Sequence, residues 1–157
     1  MNYVGIYEVR YNKCRKPHLV RVADTEVRKS TRVDSPEEAW RVFEAAFSAS
    51  MQSEEYVYLM CCDSKMCIIG LFVVSHGNVN NTLINMYGIF QRVLLSNAAS
   101  IIVAHNHPSG KCDISMDDRK VFDKLKDACK LMEVNLQDNM ILGNKRYLSF
   151  REEDLFN

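Results

Sequence analysis

The sequence predicts an α/β domain, and three observations lead to that class. The 157-residue chain is 47% hydrophobic, which is enough apolar sequence for one domain with a substantial core. Strand-like runs of β-branched and aromatic residues alternate with segments of helical periodicity. No internal repeat, linker or low-complexity segment divides the chain. We therefore expect a single domain over 1–157, made of an N-terminal β-hairpin extension at 1–34 and a core at 35–157.

The first elements are a predicted hairpin and a helix. Strands are expected at 3–11 and 19–27, where β-branched and aromatic residues are frequent. Ser35-Pro36-Glu37-Glu38 is typical of a helix start, with a capping serine, a proline at the first position and an acid at the third. Apolar residues then recur at helical spacing. Trp40 in that pattern indicates a core anchor rather than a ligand platform.

A second hairpin follows the helix. Tyr56–Cys62 and Met66–Val74 are predicted strands, and Asp63-Ser64-Lys65 turns the chain between them. Their almost continuous apolar composition is typical of strands that are covered on both faces. Gly77–Asn81 is polar and predicts a loop.

The remaining elements alternate between helices and strands. One helix face is predicted from apolar spacing after the loop, at Leu83, Met86, Tyr87, Phe90, Val93 and Leu94. The later elements are predicted as strand 100–104, helix 115–132, strand 134–143 and strand 146–150.

Charge and composition limit the function classes. The formal net charge is zero: residues 1–35 carry eight Lys/Arg against four Asp/Glu, and the remainder is equally negative. This balance argues against nonspecific nucleic-acid binding by the whole domain. Local DNA contact through Lys13, Arg15, Lys16 and Arg21 stays open beside the plainer interpretation of a solvated hairpin face. No apolar run approaches a membrane span and the N-terminus has no signal pattern, so we expect a cytoplasmic protein.

The chemistry-bearing stretch is Ala104–Gly110 together with Ser115–Asp118. His105 and His107 are two apart at the end of an apolar run, so both imidazoles share one face of an extended strand. Asp118 follows in the first turn of the predicted helix and can supply a carboxylate oxygen. Two histidines and one carboxylate form a catalytic zinc set with a fourth position left for water. The plainer alternatives are two ordinary histidines and a serine that only caps its helix.

The combined spacing resembles a known family. His105-x-His107, seven residues, then Ser115-x-x-Asp118 matches the JAMM motif of MPN-type metalloproteases, and Ala98–Gly110 resembles the bacterial RadC-like branch. This resemblance, which spans about residues 50–150, implies zinc as cofactor and a cytidine-deaminase-like/MPN fold, with a mixed central β-sheet flanked by helices. It also implies a short form, since longer RadC proteins carry an N-terminal helix-hairpin-helix region.

The resemblance also implies a glutamate upstream as general base, and Glu55 is the residue that aligns with it. Glu54 is the alternative base, and a solvated strand start is the plainer interpretation of Glu55. Family members usually carry His-Pro-Arg-Glu at the start of the helix that is predicted here around 83–94, where this chain has Asn85-Met86-Tyr87-Gly88. The family often has Asp-His where this chain has Asp138-Asn139. The first departure puts the substrate, and catalytic competence itself, in question.

Six cysteines form no CxxC pair and are expected to be reduced. Cys112 is the exception of interest, because it lies between the histidines and Ser115 and is a candidate to compete for zinc or to be oxidised.

The favoured hypothesis is a zinc hydrolase that acts on a peptide, amide or isopeptide bond of a peptide or protein substrate. His105, His107 and Asp118 bind the metal, Glu55 transfers the proton of the water, and Ser115 donates a hydrogen bond to the oxyanion.

The alternatives are a DNA repair, recombination or mobile-element accessory protein with a structural or vestigial metal site, and a catalytically weakened relative that binds a partner. An edge strand in the first 30 residues is a candidate contact for a homodimer. Deamination is disfavoured, because the HxE and PCxxC signatures of zinc deaminases are missing.

Overall fold

The structure, a computed structural model, describes residues 1–77 and 84–157. One seven-stranded sheet forms the centre, in the spatial order β2-β1-β4-β3-β5-β6-β7. The strands are β1 (Asn2–Tyr11), β2 (Pro17–Val27), β3 (Glu55–Cys62), β4 (Ile68–Gly77), β5 (Ser100–Asn106), β6 (Asn135–Gly143) and β7 (Arg146–Ser149). The helices are α1 (Pro36–Phe47), α2 (Met86–Ser96) and α3 (Met116–Leu131), with a 3₁₀ turn at Ala49–Met51.

The sheet is mixed. The β1–β2, β3–β4, β3–β5 and β6–β7 pairs are antiparallel, whereas β1–β4 and β5–β6 are parallel. The prediction of an α/β fold with a mixed sheet flanked by helices is therefore confirmed. The N-terminal hairpin joins the sheet through the pairing of Ile6 with Leu71, and β2 forms one sheet edge.

Both faces of the sheet are covered by helices. Side chains of α1, such as Phe43, pack on one face against Tyr58 and Met60. The other face packs against buried residues of α2 and α3, among them Ile89 and Phe122. Coverage on both faces explains why β3 and β5 are apolar almost throughout.

The capping predictions for α1 and α3 agree with the structure. The Ser35 hydroxyl accepts a hydrogen bond from the backbone amide of Glu38 at 3.2 Å, and Pro36 lies in the first helical turn. Ser115 and Asp118 form a reciprocal capping box at the start of α3. None of the helices within the described ranges is long and apolar enough to cross a membrane.

Two predictions about the segment between β3 and β5 need correction. β4 continues to Gly77 rather than ending at Val74, because its last residues pair with Glu55 and Tyr56 of β3. The predicted inner face of α2 is also wrong at Tyr87 and Leu94, which are 79% and 64% exposed. The buried face centres on Ile89 and Val93, a pair at helical spacing in which Ile89 was missed. Leu83 and positions 78–81 of the predicted loop lie outside the described residues.

Candidate metal centre

The carboxyl end of β5 positions the two histidines. Every residue of Ser100–Asn106 is buried, and the side chain of His105 is only 5% exposed. His107 follows the strand by one residue, and its Nε2 lies 3.1 Å from Nε2 of His105. The spacing of two residues thus brings both imidazoles to the same face, as the sequence predicts.

The loop after β5 is clamped onto the turn between β6 and β7. The amide of His107 donates to the carbonyl of Leu142 at 3.0 Å, and the amide of Asn144 donates to the carbonyl of Gly110 at 2.9 Å. Gly110 adopts a φ of 80°, which glycine accommodates without strain. A Cβ on Gly143 would lie 2.6 Å from the carbonyl oxygen of Gly110. The two glycines therefore permit the close approach that holds His107 in place.

The third predicted ligand, Asp118, reaches the histidines from the first turn of α3. Its Oδ1 lies 3.2 Å from Nε2 of His105, and its Oδ2 lies 3.5 Å from Nε2 of His107. The amide of Ser115 donates to Oδ2 at 2.9 Å, and the amide of Asp118 donates to the Ser115 hydroxyl at 3.0 Å. The capping box therefore fixes the carboxylate where it meets the imidazoles.

These contacts change the acid–base properties of the cluster. Burial alone would raise the pKa of Asp118, but hydrogen bonds with His105 and His107 outweigh it and hold that pKa far below its usual range. The hydrogen bond with Asp118 raises the pKa of His107 above its ordinary value, against the opposing effect of burial. In the metal-free protein, the site thus attracts positive charge.

The second nitrogen of His107 has a defined partner. Nδ1 lies 3.0 Å from the carbonyl oxygen of Lys111, and a carbonyl can only accept a hydrogen bond. In the neutral ring, the proton therefore belongs on Nδ1, which leaves the Nε2 lone pair directed at the cluster. Lys111 was missed from the sequence, because a backbone carbonyl carries no residue-type signal.

Glu55 completes the cluster from the start of β3. One of its carboxylate oxygens lies within 4.8 Å of a ring nitrogen of each histidine. The side chain of Asn106 bonds to the backbone on either side of Glu55. Its Oδ1 accepts a hydrogen bond from the amide of Tyr56 at 2.7 Å, and its Nδ2 donates to the carbonyl of Glu54 at 2.9 Å. The last backbone pair between β3 and β5 is Val57 with His105. Beyond it, the Asn106 side chain takes over the hydrogen bonding to the start of β3.

Glu54, the alternative base, is directed elsewhere. Its carboxylate pairs with Nε2 of His76 at 2.9 Å, and both side chains are about half exposed. The structure therefore places Glu55, and not Glu54, against the imidazoles.

The donor set fits a divalent ion of the zinc type. Two ligand atoms about 2.0–2.1 Å from a tetrahedral zinc are about 3.3 Å apart, and the ligand atoms here are separated by 3.1, 3.2 and 3.5 Å. Two imidazole lone pairs and a carboxylate at these distances repel one another unless a proton or a cation lies among them. The two histidines thus lie close enough to both carboxylates, Asp118 at 3.2–3.5 Å and Glu55 within 4.8 Å, for a metal ion to be held among them.

A small pocket of ≈ 40 Å³ opens beside the cluster. It is lined by three acidic residues, by His105 and Asn139, and by three apolar residues: Glu55, Asp117, Asp118, Val57, Ile84 and Val121. The sequence marks Asn139 only as a departure from the family's Asp-His and attaches no role to it. Alternation along the predicted strand 134–143 does not predict its place in the pocket, because Asn135, Gln137 and Asn139 form one polar face of that strand.

Three other positions of interest lie around the site. Ser115 is exposed at the cap of α3, and its role as an oxyanion donor stays a prediction.

Cys112 directs its sulfur at the carbonyl oxygens of Ile141 and Arg146, at 3.7 and 3.9 Å, and burial raises the pKa of its thiol. Asn85 caps α2 by accepting the amide of Gly88 at 2.9 Å, so the segment that departs from the family pattern forms a helix start directly after the pocket residue Ile84.

Comparison with protein families settles the classification. Residues 33–155 match the RadC-like JAB domain. The chain belongs to the RadC-like JAB domain family. The match begins after the β1–β2 hairpin, and it includes Glu55, both histidines, Ser115 and Asp118.

Similar proteins come from distant microorganisms and are described only as UPF0758 proteins. The chain is 37% identical to one from Thermotoga maritima over 99 residues, which cover 63% of this chain and 45% of that protein. It is 38% identical to one from Haemophilus ducreyi over 102 residues, covering 65% and 46%. A third, from Methanosarcina barkeri, is 34% identical over 102 residues, covering 65% and 44%. The matched region thus spans less than half the length of these RadC-like relatives.

Proposed function

We propose that the protein is a zinc-dependent hydrolase of the JAMM type that acts on a peptide, amide or isopeptide bond. The observation that carries this proposal is the convergence of two imidazole nitrogens and the Asp118 carboxylate within 3.1–3.5 Å of one another, with Glu55 beside them. JAB-type membership makes the same chemistry the first expectation for this site.

His105, His107 and Asp118 would hold the metal. Zinc bound there would lower the pKa of a coordinated water and polarise the carbonyl of the substrate. Glu55 accepts the proton of the attacking water and returns it to the leaving amine, since its carboxylate lies near both imidazoles and has no competing salt bridge among the described residues. Ser115 donates a hydrogen bond to the developing oxyanion while its oxygen caps α3.

The two adjacent glutamates supply the test. Zinc-loaded wild-type protein, Glu55→Gln and Glu54→Gln are compared on a broad library of peptide and amide substrates. We expect Glu55→Gln to bind zinc like the wild type and to lose about 10²- to 10⁴-fold in rate, which is the usual contribution of a general base. Glu54→Gln is the matched control and keeps the rate, because its carboxylate pairs with His76. Equal hydrolysis by zinc-loaded and metal-free wild type, or none by either, would refute the proposal.

A second candidate is a nucleic-acid-associated accessory role, and the N-terminal hairpin favours it. Residues 9–21 contain five Lys/Arg and no Asp/Glu. Arg10 and Arg21 pair with Glu8 and Asp24, the acids just outside this segment. Among the described ion pairs, none engages Lys13, Arg15 or Lys16, which are exposed at the tip of the hairpin. Cations in such an arrangement suit a phosphate backbone.

A further inference from the structure

Two buried polar atoms beside the metal centre have no hydrogen-bond partner within the described part of the chain. One is Nδ1 of His105, and the other is Oδ1 of Asn139. The two residues are 4% and 3% exposed, so bulk water does not reach these atoms. Leaving a buried polar atom unpaired is costly, and two such atoms beside one site require an explanation.

The sheet brings these two residues together. Val103 of β5 pairs with Asn139 of β6, and His105 pairs with Ile141, in parallel register. Side chains alternate along each strand, so His105 and Asn139 project from the same face, on adjacent strands and one pleat apart. Both also line the small pocket beside the cluster.

The chemistry of the two atoms is complementary. When Nε2 of His105 is a metal ligand, its Nδ1 must carry the proton and needs an acceptor. The amide oxygen Oδ1 can only accept. His107 already has such an acceptor in the carbonyl of Lys111, whereas His105 has none among the described residues. The two atoms are not hydrogen-bonded to each other in the structure. The pocket of ≈ 40 Å³ that both residues line exceeds the roughly 10–15 Å³ that one water needs.

We infer that Asn139 is a positioning residue for His105. In the metal-loaded protein, Oδ1 of Asn139 accepts a hydrogen bond from the N–H at Nδ1 of His105, directly or through one buried water. This hydrogen bond fixes the ring and directs Nε2 at the ion, as Lys111 does for His107. The inference rests on the proposed metal site, but it assigns a role to a residue outside the ligand set and outside the catalytic pair.

Zinc affinity of purified variants tests the inference. Asn139→Leu keeps the size of the side chain but removes the acceptor, and Asn139→Asp keeps an acceptor. Competition with a chromophoric chelator should show zinc binding about 10- to 100-fold weaker in Asn139→Leu, the usual cost of removing such a partner, and wild-type binding in Asn139→Asp. Tyr58→Phe is the matched control, because the Tyr58 hydroxyl is also buried and without a partner in the described structure but belongs to the α1 face.

Two further measurements separate positioning from a folding defect. Thermal unfolding of metal-free Asn139→Leu should match the wild type or exceed it, because the side-chain oxygen that it removes is unpaired. If this variant unfolds, Asn139→Ala replaces it. In NMR spectra of the zinc-loaded wild type, the Nδ1 proton of His105 should exchange slowly, and it should be lost to exchange in the leucine variant.

The outcomes distinguish this inference from the proposed function. If the wild type binds no zinc, the proposed function fails and the inference fails with it. If the wild type binds zinc and Asn139→Leu binds it equally well, or keeps the slowly exchanging proton, the role of Asn139 alone is overturned.

Discussion

The end of the sheet that carries the metal centre also carries the tip of the β1–β2 hairpin, and the two regions are built in opposite ways. Since β1 runs parallel to β4, the tip points toward the same end as Glu55 and His107. At the metal centre, the histidines after β5 contact Asp118 of α3, and Asn106 of β5 bonds to the start of β3. At the tip, residues 10–18 are exposed, and hydrogen bonds link them mainly to near neighbours in the chain.

The family match follows the same division. It begins at residue 33, after the hairpin, and contains the whole cluster. A region in which several elements meet at one point tolerates few changes, because each substitution leaves a buried group without its partner. An exposed ribbon has no such restriction. The contrast therefore predicts large effects at the metal centre that decline steadily toward the hairpin tip.

The largest effect is expected from His107→Ala. Loss of this imidazole removes one of the three close donors, and the histidine pair no longer exists to hold an ion. At a free zinc concentration about 100 times Kd, the wild type should gain about 2.7 kcal/mol of stability, and the variant should gain none. Metal analysis and thermal unfolding with and without zinc measure this.

His76→Ala is the control for that variant. It removes an exposed histidine at the same end of the sheet, one that pairs with Glu54 outside the cluster. Equal zinc content in His107→Ala, His76→Ala and the wild type would show that the ion, if any, binds elsewhere.

Asn106→Ala should produce the next largest effect. Its side chain satisfies the amide of Tyr56 and the carbonyl of Glu54, and the loss of such partners costs about 1–3 kcal/mol. Urea unfolding of the metal-free protein measures the cost. Asn135→Ala serves as the control, because this asparagine of β6 is exposed and should change stability by less than about 0.5 kcal/mol. Equal stability of the two variants would mean that Asn106 does not hold the start of β3.

Ser115 allows its capping role to be separated from its proposed chemical role. Ser115→Ala should lose about 1 kcal/mol of stability, whereas Ser115→Asp should keep it, because aspartate caps helices as well as serine does. Ionised aspartate has no hydroxyl to donate, so both variants should hydrolyse substrate more slowly. Recovery of the rate together with the stability in Ser115→Asp would reduce Ser115 to a cap.

The sequence predicted most of this arrangement because its determinants are local. The HxH spacing, the capping box at Ser115 and the proline-led start of α1 each depend on residues within four positions of one another. The α2 face was misjudged because Tyr87 and Leu94 fit an apolar helical stripe, although they lie where the sheet offers no partner. The acceptor at Lys111 depends on how a loop closes, and the place of Asn139 on the same sheet face as His105 depends on how two strands align. No residue-type pattern encodes either of them.

The smallest effect is expected at the hairpin tip, from the double variant Lys13→Glu, Lys16→Glu. These exposed side chains make no described ion pair, so unfolding free energy should change by less than about 0.5 kcal/mol, and zinc binding should not change. The same variant decides the nucleic-acid candidate. If the tip binds a DNA backbone, the wild type should show affinity that falls with salt, with a slope of about −0.9 per phosphate contact in a log–log plot, and charge reversal should abolish it. Absence of salt-dependent binding in the wild type would leave the hairpin as a solvated extension of the sheet and confine function to the metal centre.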